Sequence, residues 1–154
     1  MTTVTITSHI TAPVDHVFSY FTDLEHLTER VHAIKKVEVL TQGDFNLRTR
    51  WRETRHVLGR DLDEEMEVTA FDRNRSYTIT ADDRGARMDT IFSFEPCDGG
   101  TDVTMEFNFD TRTLPARLMA PIGWAMKGKI RDALTHDLDD LRQAIEGTEP
   151  AGIR

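Results

Sequence analysis

A chain of 154 residues that is 38% apolar and 30% charged has the composition of one soluble globular domain, long enough to bury a sizeable core, rather than of a disordered segment. Its net charge of −8 disfavours nucleic acid or an anionic membrane surface as the main partner. Cys97 is the single cysteine, which excludes an internal disulfide and fits a reducing compartment.

The chain opens with Val4, Ile6, Ser8 and Ile10 alternating against Thr3, Thr5, Thr7 and His9, which predicts a strand with one buried face. This start lacks the charged and apolar regions of a signal peptide, and no apolar run approaches the roughly 18 residues that span a bilayer, so a cytoplasmic location is expected. Ala12-Pro13 opens a short helix with Val14, Val17, Phe18 and Phe21 on its apolar face. Asp23 is the expected N-cap of a second short helix carrying Leu24, Leu27 and Val31.

After residue 33 the apolar period becomes two. Strands are expected at 34–41, 46–56, 61–71, 75–82, 86–96 and 101–112, joined by short polar or glycine-bearing turns into an antiparallel meander. The turns set the register. Leu58-Gly59 places Trp51 opposite Met66 and Thr49 opposite Val68. The turn at Asp72 to Arg75 places Val68 opposite Ile79 and Ala70 opposite Tyr77. Asp82 to Gly85 places Ile79 opposite Met88 and Tyr77 opposite Thr90. Cys97 to Gly100 places Phe94, Phe92 and Thr90 opposite Val103, Met105 and Phe107. All four hairpins agree on one apolar face. On the other face Arg50 falls opposite Glu67 and Arg52 opposite Glu65, which makes the Arg48, Arg50, Arg52 row a charge-paired outer surface rather than a phosphate ladder.

The last element is a helix from about Leu114 to Glu146, whose Leu118, Ile122, Met126, Ile130, Leu134, Leu138, Leu141 and Ile145 form one continuous stripe. At 1.5 Å per residue it is roughly 48 Å long and must cross the whole domain. Pro115 fits a first turn, Pro121 predicts a kink, and Gly147 fits a helix end, leaving 148–154 as a tail to a single domain over 1–147. Trp124 falls off the stripe with Ala120, Gly128 and Arg131. Either it is a dimer contact, a cavity lip or a membrane-touching edge beside Lys127 and Lys129, or the Pro121 kink re-phases the helix and buries it.

Long antiparallel strands twist, so this sheet curves strongly, and one helix fills only part of its concavity. The inner face carries Trp51, Met66, Tyr77, Met88, Phe92, Phe94, Met105, Phe107 and Phe109, to which the helix adds Met119, Ile122 and Met126. Such a set is either plain core or, in part, the lining of an apolar ligand pocket. Methionines re-pack around varied ligands, which favours the second reading.

The segments ITAPVDHVFSYFTDLEHL, GDFNLRTRWRET, EVTAFDRNRSYTI and FEPCDGGTDVTMEF, followed by the long amphipathic helix, occur in an order that resembles the START-like superfamily. The likeness is to its polyketide cyclase/dehydrase branch of small bacterial proteins and covers residues 2–146. It implies an α+β helix-grip fold, with a seven-stranded curved antiparallel sheet around the C-terminal helix and two short helices after the first strand. It also implies a deep hydrophobic cavity. Members bind lipids, sterols, polyketides or plant hormones, and some cyclise or dehydrate polyketides, so fold alone does not deliver function.

Inward parity selects Thr49, Glu53, Glu64, Tyr77 and Thr90. Glu53 and Glu64 oppose one another, and if both were desolvated one would become a candidate general acid, although a position near a solvated hairpin tip is the expectation. Tyr77 and Thr90 could bond a ligand carbonyl, with a satisfied core tyrosine as the simpler reading. His32 is a candidate acid or base at the cavity mouth, against a merely solvated loop histidine. The six histidines offer no metal-like pair, Cys97 sits in a turn as an incidental thiol, and no cofactor fingerprint is present, so no metal or cofactor is expected.

The leading expectation is a binder of a small hydrophobic or aromatic molecule, lined by Trp51, Tyr77, Met88, Thr90, Phe92, Phe107, Met119, Ile122 and Met126. An enzyme that cyclises or dehydrates a poly-β-carbonyl chain through Glu53, Glu64, Tyr77 or His32 is the alternative. A third reading is a protein-binding accessory or chaperone-regulating module that uses the outer sheet or Trp124. Stable membrane insertion is not expected, and a homodimer would form through the region of Trp124.

Overall fold

The alternating start of the chain forms strand β1 (Thr2–Ile10), with Val4 and Ile10 fully buried. The computed structural model describes residues 2–57, 59–83, 85–111 and 127–147. Pro13 precedes helix α1 (Val14–Phe21), which buries Val17, Phe18 and Phe21 at helical spacing. The second short helix divides into a 3-10 turn (Leu24–His26) and a single α-turn, α2 (Leu27–Arg30). Asp23 makes no capping hydrogen bond there, contrary to expectation. Its carboxylate instead accepts from His26 Nδ1 at 2.8 Å and pairs with Arg30 at 3.1 Å.

Six strands follow: β2 (Ile34–Val39), β3 (Arg50–Val57), β4 (Arg60–Asp72), β5 (Ser76–Asp83), β6 (Ala86–Cys97) and β7 (Gly100–Thr111). With β1 they form one antiparallel seven-stranded sheet in the order β1-β7-β6-β5-β4-β3-β2. The third strand starts at Arg50 rather than at residue 46, because Arg48 takes a left-handed φ of 74° that interrupts an extended run. Trp51 opposes Met66 and Glu53 opposes Glu64, as the Leu58-Gly59 turn requires. The β6–β7 pairs also match, with Phe94, Phe92 and Thr90 opposite Val103, Met105 and Phe107.

Two registers differ from expectation. A bulge between Val68 and Ala70 places Phe71, not Ala70, opposite Tyr77, so Phe71 turns inward and Ala70 outward. The β5–β6 turn lies one residue further along the chain than expected, pairing Asp83 with Ala86. That slides the partners by two, to Ile79 with Thr90 and Ala81 with Met88. A shift of two preserves the face, so the inner surface survives the slip. Outside, Arg48 pairs with Glu67 at 2.8 Å, Arg50 with Glu65, and Arg52 with Glu38 at 3.2 Å, which completes the charge-paired surface.

Helix α3 (Lys127–Gly147) lies in the concavity and ends at the expected glycine. It is fastened along its length. Arg131 donates to the Thr5 carbonyl at 3.0 Å, and Glu146 accepts from the Thr11 backbone N–H at 3.0 Å. Leu138, Leu141 and Ile145 are buried, whereas Ile130 and Leu134 nearer the start of α3 are only half-buried. The C-terminal half of the helix therefore seals the core while its N-terminal half stands over open space. Under the sealed end, Phe18, Phe21, Phe45, Phe71, Tyr77, Phe92 and Phe94 meet in ring pairs with centroids 4.8–6.0 Å apart. Each buried ring contributes about 1.5–3 kcal/mol by leaving water. At the opposite edge Gly100 passes so close to β1 that a Cβ there would lie 2.1 Å from the Ile10 carbonyl oxygen.

The expected helix start, with Pro115, Leu118, Met119, Pro121, Ile122, Trp124 and Met126, lies outside the described residues, as does the tail 148–154.

Candidate functional site

The open space under the first half of α3 is a cavity of about 560 Å³. Its sheet wall is built by inward positions of five adjacent strands: Trp51 and Val57 of β3, Met66 of β4, Ile79 and Ala81 of β5, Met88, Thr90 and Phe92 of β6, and Met105 and Phe107 of β7. Period-two alternation puts these side chains on one face, and sheet curvature turns that face into a hollow. The helix wall is Ile130, Ala133, Leu134 and Asp137, spaced by three or four so that they share one side of α3. A space of this size, apolar with a few convergent polar groups, is the form of a small-molecule site.

A smaller pocket of about 80 Å³ lies deeper, under α1 and α2, lined by Phe21, Leu24, Tyr77 and Leu141 among others. Glu53, Arg55 and Asp137 line both spaces and stand at their junction. Arg55 donates from Nη1 to Asp137 Oδ2 at 2.6 Å and from Nε to Glu53 Oε2 at 3.3 Å. Glu53 Oε1 accepts from the Trp51 indole N–H at 3.3 Å. Glu53 and Asp137 are 4% and 6% exposed, so this is a buried charge cluster.

Glu53 is thus not at a solvated hairpin tip. Its position on β3 is covered by α3, and Arg55 supplies the counter-charge that makes burial tolerable. Burial pulls the Arg55 guanidinium down, but Asp137 and Glu53 more than offset it, so its pKa is raised and it stays charged. Burial pushes the Asp137 carboxyl up. Arg55 opposes that rise without cancelling it, and Glu53 and Asp140 reinforce it. One guanidinium serving two buried carboxylates leaves a negative excess that a proton on Asp137 would remove. The cluster therefore sets a carboxyl of raised pKa beside a mostly apolar space.

Glu64 is half-buried opposite Glu53 and also lines the large cavity. Tyr77 lines only the smaller pocket. Its ring stacks on Phe92 at 4.8 Å, and its hydroxyl donates to the Phe21 carbonyl at 3.3 Å. Burial raises its pKa, so it is a hydrogen-bond donor and not a base. His32 stands at the mouth of the large cavity with its side chain 89% exposed and Nδ1 3.0 Å from Asp140. Trp51, Met88, Thr90, Phe92 and Phe107 come together in the large cavity, while Met119, Ile122 and Met126 lie outside the described residues.

Arg55 and Asp137 were not among the sequence candidates, yet both carried a signal. Arg55 has the parity of Trp51 and Glu53, and Asp137 sits three residues after Leu134 and four before Leu141, within the apolar stripe. No helix among the described residues is long and apolar enough to cross a membrane.

Comparison with known proteins agrees with this architecture. A family model described as "Polyketide cyclase / dehydrase and lipid transport" matches residues 1–146. No curated protein matches the chain significantly. Among solved structures, the Zhui aromatase/cyclase from Streptomyces sp. R1128 is similar with a TM-score of 0.80 at 18% identity, covering 98% of this chain and 97% of its own. The protein TTHA0849 from Thermus thermophilus has a TM-score of 0.78 at 18% identity, covering 97% of this chain and 100% of its own. A START superfamily protein from Mycobacterium smegmatis has a TM-score of 0.68 at 15% identity, covering 94% of each chain. At these identities the likeness is one of fold.

Proposed function

The chain belongs to the polyketide cyclase/dehydrase and lipid transport family, and from that premise we propose that it binds one small apolar or aromatic molecule between its sheet and its C-terminal helix. The observation that carries this reading is the cavity of about 560 Å³ under the first half of α3. A mostly apolar hollow of this size with a few convergent polar groups suits a small-molecule ligand. Trp51, Met88, Thr90, Phe92 and Phe107 belong to its sheet wall, and Tyr77 braces it from behind through Phe92. The proposal extends the lining to Met119, Ile122 and Met126. The same reading takes the chain as a cytoplasmic protein, on the strength of its single cysteine.

The test is titration with a neutral naphthalene dye such as N-phenylnaphthylamine, read by fluorescence and by thermal unfolding. Saturable binding at one site with a rise in Tm supports the proposal. No binding and no shift across a panel of apolar and aromatic compounds refutes it.

A second reading is favoured by one observation, the buried cluster of Glu53, Arg55 and Asp137 at the inner end of that cavity. Cyclisation or dehydration of a poly-β-carbonyl chain needs an acid near a ketone oxygen and a base near an acidic carbon. Asp137, with its raised pKa, is the best-placed acid, while Glu64 and His32 lie on the same cavity wall or mouth. Under this reading Asp137→Asn removes turnover of such a chain and leaves dye affinity within about twofold. If turnover survives the substitution, Asp137 is not the acid.

A further inference from the structure

On the outward face of the sheet, away from the cavity, three strands gather a set of metal-type ligands. His9 of β1 is paired with Asp102 of β7, and Asp102 with Glu95 of β6. Cys97 lies two residues beyond Glu95, so all four share a face. His9 Nδ1 is 2.9 Å from Asp102 Oδ1 and 3.5 Å from Cys97 Sγ. The three donor atoms lie within 4.8 Å of one another.

Two of those separations, His9 to Asp102 and His9 to Cys97, come near the edges of a tetrahedral coordination sphere. With metal bonds of roughly 2.3 Å to sulfur and 2.0–2.1 Å to nitrogen or oxygen, a zinc ion sets N and S about 3.6 Å apart and N and O about 3.3 Å apart. Opening the His9–Asp102 separation by a few tenths of an ångström needs only side-chain rotation, because paired strands fix the backbone on either side. We propose that His9, Cys97 and Asp102 form a surface zinc site, with water completing the coordination.

An imidazole, a thiolate and a carboxylate together suit Zn²⁺ or Co²⁺ and not Mg²⁺ or Ca²⁺, which take oxygen ligands alone. The ion takes the place of the proton that His9 shares with Asp102. His9 then binds through Nδ1, with its proton on Nε2, and the Cys97 thiol loses its proton to solvent. Glu95 and Asp98 add negative charge, and among the described residues no lysine or arginine forms an ion pair with Glu95, Asp98 or Asp102. Binding releases a proton and weakens in acid. The other histidine–carboxylate group, Asp23 with Glu25 and His26, is a poor competitor because Asp23 is engaged by Arg30.

The experiment is a Co²⁺ titration of the reduced full-length chain at about pH 7.5. One equivalent should produce a thiolate-to-cobalt absorption in the near ultraviolet, which Zn²⁺ then abolishes. Cys97→Ser should remove the band, while His9→Ala and Asp102→Asn should each weaken binding at least tenfold, with unchanged circular dichroism. His26→Ala should leave binding as it is. The proposal is overturned by absence of the band at one equivalent, by its persistence in Cys97→Ser, or by affinity indifferent to His9 and Asp102.

Discussion

Arg55 reaches from the third strand to Asp137 on the C-terminal helix, Nη1 to Oδ2 at 2.6 Å, where the two cavities meet. The contact does two things at once. It clamps the helix to the sheet, and it sets a charged cluster against a mostly apolar hollow.

Arg55→Leu leaves Glu53 and Asp137 buried without their cation. Removing one partner of a buried ion pair costs about 3–5 kcal/mol. Urea unfolding at neutral pH should show a loss of that size. A loss under about 1 kcal/mol would mean that water reaches the carboxylates and the cluster is not sealed.

Asp137 also gives the stability a pH dependence of definite sign. Its pKa is raised on folding, chiefly by burial, so the native chain binds this proton more tightly than the unfolded one does. The resulting contribution favours the fold at low pH and is lost as pH rises from the unfolded carboxylate value, about 3.9, through the folded one. The Tm of Asp137→Asn relative to the parent should therefore improve as pH climbs from about 4 toward neutrality. A difference that worsens across that window would show that Arg55 depresses the carboxyl instead.

Gly100→Ala should destabilise through contact and through backbone strain, since the φ of 156° at this position is one that L side chains rarely adopt. The new methyl would overlap the Ile10 carbonyl oxygen, a backbone atom that cannot swing aside. Overpacking of this kind costs about 1–3 kcal/mol. A melting curve unchanged from the parent would mean that β1 and β7 separate more easily than their pairing suggests.

Met88 projects into the large cavity, opposite Ala81. Met88→Trp adds ring volume to that space and should weaken dye binding roughly tenfold, about 1.4 kcal/mol, with little change in Tm. Undiminished binding would place the dye elsewhere.

The fold was legible because local signals agreed with one another. Turn positions fixed the β3–β4 and β6–β7 registers, since each turn leaves only one pairing that keeps Trp51, Met66, Phe92 and Met105 on a common face. The errors were those to which alternation is blind. A slip of two between β5 and β6 preserves the pattern, and the extra residue at the Val68–Ala70 bulge was hidden because Ala70 and Phe71 are both apolar. The site was half legible. Apolar lining followed from parity, but Arg55 and Asp137 become meaningful only as partners, and they stand 82 residues apart. His9, Cys97 and Asp102 were invisible for the same reason. Their meeting depends on β1 joining β7, which no short turn dictates.

The central claim, an internal cavity that holds a small apolar molecule, is tested most directly by native mass spectrometry of the purified chain, followed by denaturation and identification of what is released. The account predicts a one-to-one adduct with an apolar or aromatic compound, lost or diminished in Met88→Trp. A bare polypeptide mass that stays bare after incubation with lipids and aromatic polyketide-like compounds would contradict it.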